Sequence, residues 1–248
     1  MAKEIIRPTC LQARPNTFCP GCMHSMAIKL VAQCLEELEI ADKSILVCAV
    51  GCGTMAMNAF DVDMVSAAHG RAPAVATGIK RTQPDTFVFT YQGDGDLAAI
   101  GLSEIMYAAN RGEKISTVFV NNSTYGMTGG QLAPTTLVGQ KSTTTPLGRD
   151  PERDGYPVDM CKLLSQLQAP SYIARCALNS PANIRKAKEA IKKAFQYQLE
   201  GKPFAFVELL SNCVTNWNMA PMDSLKHIET VTSQVFPLGV FRDVNEGV

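Results

Sequence analysis

Short runs rich in β-branched and aromatic residues alternate along this chain with longer amphipathic stretches, and that alternation most constrains the fold. The short runs predict strands at Ser44–Val50, Phe87–Gln92, Ile115–Asn121, Tyr172–Ala177 and Phe204–Leu210. The longer stretches predict helices at His24–Leu38, Ala72–Arg81, Leu97–Asn110, Val158–Leu167 and Pro181–Glu200. Pro181 suits a first helical turn behind Ser180 as cap. Strand–helix–strand order implies an α/β fold, a mostly parallel sheet with helices on both faces. No repeat or low-complexity stretch breaks the pattern. With 248 residues, 46% of them hydrophobic, one domain over residues 1–248 has material for one sizeable core.

Charge narrows the partners. Lys plus Arg and Asp plus Glu both number 23, so the formal charge is zero. No basic excess asks for nucleic acid, and no block of like charge reads as a tail. No apolar run approaches the roughly 18 residues of a membrane span. The stretch from Met1 to Pro20 lacks the apolar core of a secretory signal, so a cytoplasmic location without membrane contact is expected. In that reducing compartment, clustered cysteines among the nine present read as metal ligands or redox groups before disulfides. Cys34, Cys161 and Cys176 sit in apolar patterns and read as core.

Two turns carry candidate chemistry. Gly93-Asp94-Gly95-Asp96 stands between a strand and a helix. Glycines on either side of Asp94 permit a sharp turn and a close approach to phosphate, and the helix start points free N–H groups there. Asp94 offers a hard oxygen, and magnesium is usually held by one or two protein oxygens plus substrate phosphates. Alone, such a turn is often only a turn. The next strand ends in Asn121-Asn122, and adjacent parallel strands set their carboxyl ends side by side, so Asp94 and Asn122 can meet at one ion. The aperiodic stretch from Asn122 to Pro157 follows directly, where ligands of open α/β sheets bind.

Cys19-Pro20-Gly21-Cys22 is a tight knuckle. Cys52 follows one predicted strand and Cys213 another. Four thiolates converging at the sheet's carboxyl edge suit a [4Fe–4S] cluster first, with a zinc ion or packing cysteines as the alternatives. A thioredoxin-like redox pair fits less well, because no strand precedes Cys19. Cys48 lies inside a strand and is expected to face the core.

Gly-Asp-Gly, a helix, a strand and then Asn-Asn resembles the thiamine diphosphate motif of transketolase-like pyrophosphate domains. The resemblance implies magnesium held by Asp94, the Asn122 side chain and the main-chain oxygen of Thr124, with Gly95 and Asp96 at the diphosphate. Cys-Pro-Gly-Cys upstream, Gly51-Cys52, His69-Gly70-Arg71-Ala72, Tyr125–Gln131 and a late cysteine resemble the β subunit of 2-oxoacid:ferredoxin oxidoreductases, from about Cys19 to Cys213. That likeness implies one [4Fe–4S] cluster on Cys19, Cys22, Cys52 and Cys213. It also implies a cofactor lining of Val50, Gly51, Gly53, His69, Gly126 and Met127. His69, otherwise a helix-cap residue, would bond to the diphosphate. The chain departs from the family at Met23-His24-Ser25, where Gly-His-Gly is usual, and at Gly53, where serine is common.

The family's chemistry is CoA-dependent oxidative decarboxylation of a 2-oxoacid to acyl-CoA and carbon dioxide, with electrons passed to ferredoxin. Its thiamine-activating glutamate lies on a second domain not matched here. The resemblance therefore implies an α subunit carrying the pyrimidine-binding domain, with γ and small ferredoxin-like subunits. Catalytic residues of this chain stay unknown. Met55, Met57 and Met127 suggest an apolar substrate pocket, favouring a branched-chain acid such as 2-oxoisovalerate. 2-Oxoglutarate is the alternative within the family. A non-redox thiamine lyase or synthase, and a zinc-knuckle interaction module, are the alternatives outside it.

Overall fold

The structure is a computed structural model that describes residues 7–247; positions 1–6 and 248 of the expected domain lie outside the described residues. Seven strands form one sheet: β1 Ser44–Cys48, β2 Asp63–Ser66, β3 Phe87–Gly93, β4 Ser116–Asn121, β5 Tyr172–Ala177, β6 Ala205–Leu210 and β7 Gly239–Asp243. Their order is β2-β1-β3-β4-β6-β5-β7, with every pair parallel except β5–β7. The expected architecture holds, and the five predicted strands form within two residues of their expected ends.

Alternation along the central strands makes both faces apolar. Phe87, Phe89 and Tyr91 face one cluster with Val118, Val120 and Val207. Val88, Phe119 and Phe206 face the other. The first face is covered by α1 (His24–Glu37) and α6 (Pro181–Leu199). The second is covered by α2 (Ala72–Thr82), α3 (Leu102–Asn110) and α5 (Met160–Ser165), the last preceded by the single turn α4 (Pro151–Asp154). As expected, Ser180 caps α6, its Oγ accepting from Asn183 N at 3.3 Å. Cys34, Cys48 and Cys161 are buried, whereas Cys176 is only half-buried at the core's edge. Among the described residues, no helix is long and apolar enough to cross a membrane.

Two differences from expectation matter. The helix expected from Leu97 begins instead as a π-helical turn, Gly95–Ile100, before α3. Such wide turns recur at functional sites, where they swing backbone groups out of helical register. The short strands β2 and β7 were not expected: both lie at the sheet's edges, largely exposed, so neither shows a buried face in its sequence.

Burial of Arg175 supplies a stability test. Its guanidinium donates to Glu208 Oε2 at 2.8 Å and also reaches Asp159, while the rings of Phe236 and Phe241 cover it. Glu208 is fully buried and also accepts from Asn121 Nδ2 at 2.8 Å. Removing one partner of a buried pair strands the other charge. Arg175→Met is expected to cost about 3–5 kcal/mol in urea unfolding; a loss below about 1 kcal/mol would show that Glu208 escapes to solvent or a proton.

Candidate functional site

Between β1 and β3 the chain turns outward to β2 on one side and inward to β4 on the other. At such a switch point the loops after neighbouring strands splay apart and leave a crevice. The loops after β1, β3 and β4 line it here.

Asp94 sits at the end of β3 and caps the π turn, its Oδ1 accepting from Gly95 N at 2.9 Å. Its Oδ2 accepts from Thr124 N at 3.1 Å and from Thr135 Oγ1 at 2.9 Å. These donors are neutral. Burial accordingly outweighs them and pushes the carboxyl up to about 6. Asn122, one residue beyond β4, lines the same crevice, and its buried Oδ1 has no hydrogen-bond partner among the described residues. A buried carboxylate without a cation and a buried amide oxygen without a donor form an oxygen set that fits a hard divalent ion. Gly95 is required beside them, because a Cβ there would stand 2.3 Å from the Tyr125 ring.

Asp96 fills a role not legible in the sequence. Its Oδ1 accepts from Val50 N at 3.2 Å and Gly70 N at 2.8 Å, and its Oδ2 from Gln92 Nε2 at 2.7 Å. One buried carboxylate thus ties the loops after β1 and β2 to β3. His69 Nδ1 comes within 2.7 Å of the same Oδ1 without the alignment of a hydrogen bond.

Two of the four expected cysteines, Cys52 and Cys213, border Gly126. The knuckle closes with Cys22 N donating to Cys19 O at 3.0 Å, and Gly21 adopts φ +80° where a Cβ would strike Pro221. Buried Asn212, beside Cys213, pins that knuckle. Its Oδ1 accepts from Met23 N and its Nδ2 donates to Gly21 O, both at 3.0 Å. A Cβ on Gly126 would lie 3.1 Å from Cys52 Sγ and 3.7 Å from Cys213 Sγ, so both sulfurs border one point of the crevice loop. Burial, with the neighbouring thiols adding to it, pushes Cys22 up to about 11 and Cys52 up to about 12. Such thiols stay protonated unless a bound cation compensates the charge. Among the described residues, no three His, Cys, Asp or Glu are gathered to hold a single metal ion.

Of the expected cofactor residues, Val50, Gly51, Cys52, His69, Gly95, Asp96, Gly126 and Met127 line the crevice, as do Asp94, Asn122 and Thr124. Gly53 does not; it packs against Tyr91. The expected methionine pocket does not form. Only Met127 faces the crevice, while Met55 and Met57 pack on the apolar core. His24 joins the lining, buried and held neutral, since burial pushes its ring down to about 4; Nδ1 lies 2.7 Å from Tyr91 Oη.

Residues 41–209 match the C-terminal TPP-binding domain of thiamine pyrophosphate enzymes. A 2-oxoglutarate synthase subunit KorB of Archaeoglobus fulgidus is 38% identical over 87% of this chain and 76% of its own length. The chain belongs to the thiamine diphosphate-binding subunits of 2-oxoacid:ferredoxin oxidoreductases. A ketoisovalerate oxidoreductase subunit VorA of Methanothermobacter thermautotrophicus is 50% identical over 91% of the chain. The chain spans about half the length, 47%, of that relative. The structure of a 2-oxoglutarate:ferredoxin oxidoreductase from Magnetococcus marinus, with 2-oxoglutarate, coenzyme A and succinyl-CoA bound, superposes with a TM-score of 0.79 at 25% identity. That match covers 97% of this chain and 86% of the other. Membership of this oxidoreductase family accounts for the fold and for a thiamine diphosphate-binding domain in which the Asp94–Asn122 crevice lies.

Proposed function

We propose that this chain binds thiamine diphosphate, magnesium and one [4Fe–4S] cluster, and serves CoA-dependent oxidative decarboxylation of a branched-chain 2-oxoacid such as 2-oxoisovalerate. One observation carries the reading: Gly126 lines the crevice with Asp94 and Asn122, and the Cys52 and Cys213 sulfurs border the same glycine. When bound, thiamine diphosphate would supply the decarboxylation chemistry, and an iron–sulfur cluster would supply one-electron acceptance.

This chain's own part is binding and placement. Asp94, Asn122 Oδ1 and the Thr124 carbonyl would ligate magnesium, and Gly95 leaves room for the diphosphate. Asp96 fixes the loops carrying Val50, Gly51 and His69. Cys19, Cys22, Cys52 and Cys213 would hold the cluster. Exposed Val50 and Met127 in the crevice lining suit cover by a partner. We assign that cover to an α subunit that brings the pyrimidine-binding domain and the activating glutamate. Further γ and ferredoxin-like subunits would pass electrons to ferredoxin. Residues 1–248 would act as one domain of a cytoplasmic complex.

The branched-chain assignment is supported by the 50% identical ketoisovalerate relative and by apolar Met127 at the crevice; 2-oxoglutarate is the second reading, from the 38% identical relative. Anaerobic purification with analysis of iron, acid-labile sulfide and zinc tests the core of the proposal. About four iron and four sulfide per chain are expected. About one zinc without sulfide would leave a non-redox thiamine enzyme with a structural metal. Acyl-CoA formation in the assembled complex is then expected to be faster with 2-oxoisovalerate than with 2-oxoglutarate, and the reverse order would overturn the substrate assignment.

A further inference from the structure

Helix α7 (Val214–Trp217) is a single turn, yet its side chains bond to Cys213, Gly126 and Asn122. It starts at Cys213. Three residues on, Asn216 Nδ2 donates to Cys213 Sγ at 3.2 Å and to the Gly126 carbonyl at 2.9 Å. Both amide protons thus have acceptors, one on a cysteine sulfur and one on the crevice loop. Gly130 of the same loop packs on the other side of this amide, where a Cβ would lie 2.9 Å from Asn216 Cβ and 3.1 Å from Oδ1. The loop is closed on itself, with Tyr125 N donating to Gln131 O at 3.1 Å and Gly130 N to Tyr125 O at 2.9 Å. Next in sequence, Trp217 Nε1 donates to the Asn122 carbonyl at 3.1 Å.

An asparagine early in a helix ordinarily serves the unpaired N–H groups of the first turn. Asn216 does not: it donates to a sulfur and to a distant carbonyl. Capping therefore does not account for it.

Resting on the proposed cluster ligands, we propose that Asn216 is a positioning residue that sets the reduction potential of the cluster held by Cys213 while seating the Gly126 loop against it. An N–H group directed at a thiolate sulfur stabilises negative charge there. The reduced cluster carries one more negative charge than the oxidised one, so the donor favours reduction and raises the potential. The same amide fixes the Gly126 carbonyl, which keeps the crevice loop at a constant separation from Cys52 and Cys213.

The test is a redox titration followed by EPR on the assembled, cluster-loaded protein. Asn216→Leu keeps the approximate size and removes the side-chain donor, leaving the backbone N–H on Cys213; Asn216→Asp removes the same donor and adds negative charge. Each is expected to retain four iron and four sulfide and to lower the potential. At fixed poise the reduced-to-oxidised ratio should fall about tenfold, or 59 mV for a one-electron couple. Asn216→Gln, which keeps an amide donor, is expected to recover most of that shift. A full cluster with unmoved potential in both Asn216→Leu and Asn216→Asp would overturn the inference alone. A wild-type chain lacking sulfide would instead remove the cluster reading beneath it. Should the variants lose iron, the wild-type protein still decides: an exchangeable amide proton coupled to the cluster, labelled at the asparagine side-chain nitrogen alone, is expected, and its absence would overturn the inference.

Discussion

Asp94→Asn is expected to abolish magnesium-dependent binding of thiamine diphosphate while leaving the cofactor-free protein more stable than the wild type. The two effects share one cause. Asp94 is buried among neutral donors, so its charge is costly until a cation arrives. Because the folded carboxyl is raised to about 6 from 3.8, the protonated form is favoured in the fold. Stability from this group is present at pH below the unfolded value and is lost as pH rises through about 6. The loss amounts to at most about 3 kcal/mol, and asparagine avoids it. Binding moves the other way. Loss of an outer-sphere partner costs roughly 10–100-fold in metal affinity, and loss of a ligand carboxylate should exceed that. Calorimetric titration with magnesium and thiamine diphosphate, beside urea melts at pH 5 and pH 8, separates the effects. A variant that binds normally would remove Asp94 from the ion site.

Cys22→Ser is expected to lower ferredoxin-linked electron transfer by more than about 100-fold with thiamine diphosphate affinity unchanged. The magnitude follows from the role, since removal of a group required in every turnover costs several factors of ten. Cofactor binding is expected to survive because Cys22 belongs to the knuckle, whereas the oxygens proposed to bind the ion lie on the loops after β3 and β4. Iron and sulfide per chain should fall together. Full electron transfer in this variant would sink the cluster assignment and leave the thiamine site standing.

Most of the sheet could be read from the chain because its central strands are buried on both faces and alternate accordingly. Phe87 to Tyr91 and Ser116 to Asn121 announce themselves by composition and by the turns that follow. Edge strands β2 and β7 carry no such signal, since half-exposed residues have no pattern to keep. The glycine–aspartate turn and the cysteine knuckle were visible for a similar reason: turn chemistry and metal chemistry each demand particular residue types at short spacing. Asn212 and Asn216 were invisible. Each is an ordinary asparagine whose partners lie far off in sequence, Gly21 for one and Gly126 for the other. Only the folded sheet brings such pairs together. Asp96 was placed at the site, but its bonds to Val50 and Gly70 depend on loop geometry that no local pattern encodes. The methionines misled because an apolar residue near a site reads alike whether it faces substrate or core.

The strand order has a consequence for how the protein comes into being. Strand β6, which leads directly into Cys213, lies between β4 and β5, so it cannot dock until β5, itself a late strand, is made. On the proposed ligand set, a growing chain on the ribosome holds Cys19, Cys22 and Cys52 long before the fourth thiol exists. Parallel pairings between distant segments also form slowly. On that ligand set, iron–sulfur loading would follow closure of the sheet by the C-terminal half. A chain released early would carry three waiting thiols and a Gly126 loop without its bond to Asn216.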